Sequence, residues 1–192
     1  MKYIVALIAV VAMAVPAFAG QNPDVTGYIS FDAAGDPLAT TLTPTAYTAI
    51  SAYVCFGNIS ETAGEGLKVV SFALNDVMVD CPGVMGSQAF TNLLDLAIGD
   101  PYDGVGITLS SIACRPGPIV VVGRIDCFFL AGGCCFELVD HADYPLWVVD
   151  CQEPGVVDYY TLTAHGQVND GECEPISPVE ETTWGSLKAM YQ

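Results

Sequence analysis

Positive charge is what this sequence most lacks. Five Lys and Arg stand against 22 Asp and Glu in 192 residues, for a formal net charge of −17. A nucleic-acid surface needs clustered cations to displace counterions from phosphates, so no nucleic-acid partner is expected. Imidazole is nearly as scarce, with only His141 and His165. Motifs of known chemistry are missing too. There is no G-x-S-x-G elbow, no H-E-x-x-H, no D-x-[DN]-x-[DN]-G calcium loop and no C-x2-C metal knuckle. No segment repeats at a fixed period. Past the N-terminus, no apolar run approaches the roughly 20 residues that span a bilayer. Disorder is excluded from the other side, because 52% of residues are hydrophobic and 10% aromatic.

The first thing present is an export signal. Lys2 is followed by an apolar run from Tyr3 to Val15, then Pro16 and Ala17-Phe18-Ala19 before Gly20. A short cationic start, an apolar stretch and an A-x-A site read as a signal peptide over residues 1–19. Its removal takes Lys2 and no acid, which moves the net charge from −17 to −18. The location expected is secreted, extracellular or cell-surface, with the periplasm as the alternative, and no membrane span in the mature form.

Eight cysteines remain after cleavage: Cys55, Cys81, Cys114, Cys127, Cys134, Cys135, Cys151 and Cys173. An even number in an exported chain implies a disulfide framework of up to four bridges, with the pairing open. Cys134 and Cys135 are adjacent on a strand, so they point to opposite faces. A bridge from Cys127 to either of them would fit across a hairpin at Gly132-Gly133. Zinc on Cys127, Cys134, Cys135 and His141 is the weaker reading, because export favours oxidation.

Alternating apolar residues mark strands over Tyr28–Asp32, Tyr47–Phe56, Leu67–Leu74, Gly104–Ala113, Pro118–Leu130, Cys134–Asp140, Leu146–Cys151 and Val156–Ala164. Gly, Pro, Asn and Asp clusters separate them at short intervals. The expected fold is an all-β, disulfide-stabilised sandwich of about eight strands over residues 20–169. Phe90, Leu93, Leu94 and Ala97 have helical spacing, which predicts a short helical crossover over Ser87–Ala97. Residues 170–192 read as an acidic linker and C-terminal tail, with helical spacing over Thr183–Tyr191.

Candidate contact residues are few. Tyr159, Tyr160 and Trp147 can form a platform for a glycan or a protein partner, and one of the adjacent tyrosines must face outward. Asp100 and Asp103, and Asp140 and Asp143, place carboxylates three apart in loops, a spacing that can serve calcium or simply form turns. His141 between Asp140 and Asp143 is the one candidate base for a hydrolase. No catalytic residue is assigned, no cofactor is expected apart from calcium, and no metal site is assigned.

The Ala-Phe-Ala site followed by Gln21-Asn22-Pro23, Ile98-Gly99-Asp100-Pro101, Asp150-Cys151 and the ending Trp184-Gly185-Ser186-Leu187-Lys188-Ala189-Met190-Tyr191 carry a family likeness. The chain resembles a group of uncharacterised secreted bacterial proteins with an immunoglobulin-like or cohesin-like β-sandwich and a C-terminal Trp-Gly-x-Leu-Lys element. The resemblance implies architecture and export, and no chemistry. The function expected is a non-catalytic structural, adhesion or surface-assembly module whose partners are other extracellular proteins or surface glycans. The alternatives are a carbohydrate-binding module, calcium-assisted or not, and a hydrolase using His141.

Overall fold

Alternation decides the long strands. Val70, Phe72 and Leu74 project to one side of their strand, Ile107 and Leu109 to the same side of the next, and all five are buried. Ile50, Ala52, Val54 and Phe56 do the same in the facing sheet. Two such faces, each apolar on one side, bury one another. The computed structural model describes residues 20–144 and 146–176. The expected signal peptide over residues 1–19 and the expected helical tail over Thr183–Tyr191 lie outside the described residues.

One sheet has five strands in the order β13 (Thr161–Ala164), β1 (Thr26–Ser30), β3 (Thr48–Gly57), β8 (Ile119–Phe129) and β5 (Met85–Asn92). A six-stranded sheet runs β12 (Val157–Tyr159), β11 (Trp147–Asp150), β4 (Leu67–Leu74), β7 (Gly106–Arg115) and β6 (Leu96–Asp100), with β10 (Leu138–Val139) also paired to β4. A small sheet, β2 (Thr41–Leu42), β14 (Gly166–Val168) and β9 (Cys134–Phe136), lies beside them. The one described helix is a single turn, α1 (Val77–Asp80), capped by the Asp76 side chain accepting from the Met78 N–H. No helix among the described residues is long and apolar enough to cross a membrane.

The all-β sandwich is therefore as expected, but the strands among the described residues number fourteen rather than about eight. Four of the extra strands arise where the chain changes sheets, and β2 and β14 match no expected strand. Val156–Ala164 was expected as one strand; it divides at Tyr160, with β12 in one sheet and β13 in the other. Cys134–Asp140 divides at Glu137, whose N–H donates to Asn75 Oδ1 at 2.7 Å and whose carbonyl accepts the Asn75 N–H. The expected helix over Ser87–Ala97 is replaced by β5 and β6. Pairing with β8 recruits Met85–Asn92 as an edge strand, and tertiary pairing outweighs the helical spacing. Asn92 Oδ1 accepts the Leu94 N–H at 2.8 Å and makes the turn that delivers β6 to the other sheet.

Aromatic rings fill the space between the sheets. Tyr160 stands edge-on to Phe56 with centroids 4.9 Å apart, and Phe72 lies 6.3 Å from Phe56 and 6.2 Å from Phe90. The Tyr160 hydroxyl donates to the Ser71 carbonyl at 3.1 Å, and burial raises its pKa. Tyr160 is thus a core residue, and its place in the expected contact platform is corrected.

Three disulfides form. Cys81–Cys134 ties the end of α1 to β9, Cys114–Cys151 ties β7 to the turn after β11, and Cys135–Cys173 ties β9 to the C-terminal segment. The opposite orientations of Cys134 and Cys135 let neighbouring residues hold two separate segments. Bridges closing loops of this length each contribute roughly 2–4 kcal/mol. The expectation of a fourth bridge is corrected: Cys55 and Cys127 are buried free thiols. Cys127 pairs with Ile50 in register and faces the core, whereas Cys55 has the opposite parity on β3 and faces outward, under the loop that carries Gly35. Opposite faces of one sheet cannot be bridged. Burial, then the Asp32 charge, pushes the Cys55 thiol up to about 12; burial, then Asp126, does the same to Cys127.

Two measurements check this arrangement. Alkylation without reductant should label no thiol in the native protein and two in denaturant, mapping to Cys55 and Cys127; a thiol count of zero in denaturant would contradict it. Tyr160→Phe should cost about 1 kcal/mol by loss of one buried hydrogen bond, a fall in Tm of about 2–4 °C. Tyr159→Phe should leave Tm within a degree or so.

Candidate functional site

The outward side of the six-stranded sheet is the feature that the fold leaves unfilled. Directly opposed residues in a ladder share a face. One row crosses the sheet as Val157, Val149, Val69, Ser110 and Leu96. A second row pairs Tyr159 with Trp147, and Ser71 with Thr108 and Ile98, with Trp147 one residue before the Val148 that pairs with Val70. None of these ten residues is charged, in a chain rich in Asp and Glu. Ile112, two residues beyond Ser110 on β7, continues the same side.

Exposure separates the edges of this face from the core, while its middle is half-buried and Ser71 is fully buried. Ile98 is 77% exposed, Ile112 75%, Tyr159 70%, Leu96 58% and Val157 47%, whereas Val70, Phe72 and Leu109 beneath them are fully buried. Burying such side chains against a partner removes apolar area worth roughly 25 cal/mol per Å². The middle of the face is polar but satisfied, since Ser71 and Thr108 hydroxyls lie 2.8 Å apart. The outward side of the five-stranded sheet is different. There Asp126 accepts from Ser51 at 2.7 Å and from Arg124 Nε at 2.9 Å, a charged and solvated surface.

Loops form an aromatic corner at one end of the apolar face. Tyr144 stands edge-on to Trp147 at 5.3 Å and tilts on His141 at 5.2 Å. Tyr159, opposite Trp147, completes it. Of the three predicted platform residues, Tyr159 and Trp147 therefore sit together on this side and Tyr160 does not.

His141 is buried, and its Nδ1 accepts the Asp143 N–H at 3.1 Å. A catalytic imidazole needs Nδ1–H donated to an orienting carboxylate. Neither Asp140 nor Asp143 makes that contact among the described residues, so the hydrolase reading loses its orienting group.

The four loop acids lie on neighbouring loops, joined by the Ala142 N–H donating to the Val105 carbonyl at 2.8 Å. Each carboxylate has another task or none. Asp100 Oδ1 accepts from the Tyr102 N–H at 3.0 Å; Asp103 Oδ1 accepts from Val105 and Gly106 N–H at 2.8 and 2.9 Å. The Gly106 and Val105 N–H groups, with His141 a smaller influence, hold the Asp103 carboxyl below its ordinary value. Partial desolvation raises Asp140. Among the described residues, no three His, Cys, Asp or Glu side chains gather as ligands for an ion. Asp100 and Asp103 build turns, as their spacing also allowed, whereas the Asp140 and Asp143 carboxylates accept no hydrogen bond among the described residues.

Sequence reasoning missed Leu96, Ile98 and Ile112. The helix expected over Ser87–Ala97 hid Leu96, and Ile98 fell between that helix and the next expected strand at Gly104. A residue of apolar type on the solvent parity of β7 was the available signal for the third.

No protein-family model and no curated protein matches the chain. Among solved structures it is similar to the seventh ScaB type I cohesin from Pseudobacteroides cellulosolvens, at 8% identity and a TM-score of 0.43, covering 81% of this chain and 97% of that one. It is also similar to a chain of the CaDoc0917–CaCohA2 complex, at 9% identity and 0.41, covering 76% and 98%. The solution structure of CaCohA2 from Clostridium acetobutylicum is a third, at 10% identity and 0.40, covering 81% and 96%. All three scores lie below 0.5, so the function of this chain rests on its own residues.

Proposed function

We propose that this chain is an exported, non-catalytic binding module that joins another extracellular protein through the outward face of its six-stranded sheet. One observation carries the reading: ten residues in two adjacent rows of that face are uncharged, in a chain with a net charge of −17, and the apolar ones at both edges are open to solvent. Exposed apolar side chains on an otherwise charged protein mark a contact site. The three disulfides support a life outside the cytosol. A scaffold stapled in this way presents a rigid face, so little ordering entropy is lost on binding.

A surface glycan is the second reading, favoured by Tyr144, Trp147 and Tyr159 at one corner. A sugar would stack on that corner alone. A protein would also cover Leu96 and Ile98 at the far edge.

The two readings part under mutation. Ile98→Asp and Tyr159→Ala both lie on exposed positions, so each should leave the fold stable to within about 0.5 kcal/mol. Affinity for an extracellular protein isolated on the wild-type module should fall at least tenfold with either change, each costing about 1.4 kcal/mol or more. If binding is unchanged in both variants, the assignment of this face fails. A glycan-array signal lost with Tyr159→Ala and kept with Ile98→Asp would select the second reading.

A further inference from the structure

The N-terminal edge of the domain carries an electrostatic arrangement that the contact face does not use. Asp150, at the end of β11, is fully buried, and Asp158, in β12, is 7% exposed. Val148 pairs with Asp158 in register, so the Asp158 carboxylate shares the core-facing side of the sheet, and Asp150 follows two residues later on the same side. Their charges act on each other. Burial raises the Asp158 carboxyl, the Asn22 N–H lowers it, and the Asp150 charge raises it again.

Two of the five hydrogen bonds to these carboxylates come from Gln21 and Asn22, and the other three come from Gln152 and Val156 in the turn after β11. Asp150 Oδ2 accepts from the Gln21 N–H at 3.0 Å and from Gln152 Nε2 at 2.8 Å; its Oδ1 accepts from the Gln152 and Val156 N–H groups at 3.0 and 2.9 Å. Asp158 Oδ2 accepts from the Asn22 N–H at 3.0 Å. Asn22 is itself locked in place. Its Nδ2 donates to the Gly66 carbonyl at 3.0 Å and its Oδ1 accepts from the Ser60 N–H at 2.8 Å. All these donors are neutral. The ion pairs among the described residues are Lys68–Glu153, Arg115–Asp95 and Arg124–Asp126, so no cation meets Asp150 or Asp158 there.

Gly20 lies where a cation is wanted. A side chain on Gly20 would overlap the Asp158 carboxylate, so the Gly20 Cα rests directly against it. Asp158 is 7% exposed as a residue, and its Oδ1 accepts no hydrogen bond among the described residues. The Gly20 nitrogen is one bond, about 1.46 Å, from that Cα. In the uncleaved chain it is an amide with at most one hydrogen to donate. The sequence places the Ala17-Phe18-Ala19 cleavage signal immediately before it.

We propose that cleavage between Ala19 and Gly20 completes the fold, because the α-ammonium it creates on Gly20 is the counterion of Asp158 and Asp150. The step is a hydrolysis by a signal peptidase. Water adds across the Ala19–Gly20 amide, its oxygen stays on the Ala19 carboxylate, and the nitrogen leaves as the Gly20 amine, protonated at neutral pH. A neutral donor becomes a cation with three N–H groups beside two buried carboxylates, and the pair is charge-assisted as well as hydrogen-bonded. The uncleaved precursor keeps two adjacent buried acids without a cation, which disfavours the closed N-terminal edge. Export and final folding are thereby linked through one amine. Glycine is required at position 20 on steric grounds.

The inference rests on residues 1–19 being a signal peptide, and the experiment separates the two claims. Mass spectrometry of the exported protein should give Gly20 as the first residue; another start would overturn the processing claim. Protein that begins at Gly20 with a free amine is then compared with the same protein acetylated at that amine, which removes the charge without any substitution. The free form should melt higher by about 6–20 °C, the range for an uncompensated buried charge in a chain of this size. Asp158→Asn should reduce that difference to under about 2 °C. Equal melting of the free and acetylated forms would overturn the ion pair, whatever the N-terminus of the exported protein.

Discussion

The Tyr160 ring lies edge-on against Phe56, and its hydroxyl is bonded to the backbone of β4. At this residue the chain leaves the six-stranded sheet and enters the five-stranded one. Because the ring must be buried, β12 before it is held with Tyr159 and Val157 outward and Asp158 inward. A one-residue shift would reverse those three sides. Both the exposed face and the buried carboxylate therefore depend on where this tyrosine is packed. The disulfides act around that pivot: Cys114–Cys151 fixes the end of β11, and Cys135–Cys173 fixes the segment that follows β14.

The long central strands were legible from their buried sides, whereas the short β14 and the edge strand β5 were not. Alternation in Leu67–Leu74 and the apolar length of Pro118–Leu130 pointed to β4 and β8 almost at their observed bounds. The breaks were not legible, because a change of sheet leaves the alternation intact. Val157, Tyr159, Thr161 and Thr163 keep one parity and are all exposed, yet they belong to two sheets. Helical spacing at Phe90, Leu93, Leu94 and Ala97 misled for a related reason. Those residues sit on two strands and the turn between them, and their spacing reflects no single element. Cysteine parity, by contrast, was informative: the neighbours Cys134 and Cys135 had to point apart, and each meets a different partner.

The acids were legible as composition and not as roles. Asp100 and Asp103 accept backbone N–H groups in turns, and Asp95 holds Ser111 and the Ile112 N–H beside Arg115. Asp150 and Asp158 look no different from these in sequence. What sets them apart is burial, which depends on long-range pairing of β11 and β12 and on the return of Gly20–Asn22 to that edge. Charge thus divides by location. Surface acids favour solubility, and the ten residues in two rows on the outward face of the six-stranded sheet are uncharged.

The two ends of that division constrain each other. β12 is an edge strand three residues long, and short edge strands pair weakly unless something holds them. Its outward residues are the Val157 and Tyr159 of the contact face, and its inward residue is Asp158. An α-ammonium on Gly20 that attracts Asp158 would press β12 onto β11 from the core side and so fix Tyr159 opposite Trp147 on the other. Binding through a face rewards such prior ordering, because side chains already held lose less entropy when a partner covers them. By this argument a mature N-terminus at Gly20, although on the opposite side of the sheet from the proposed contact face, would set how well the aromatic corner is preorganised to receive a partner.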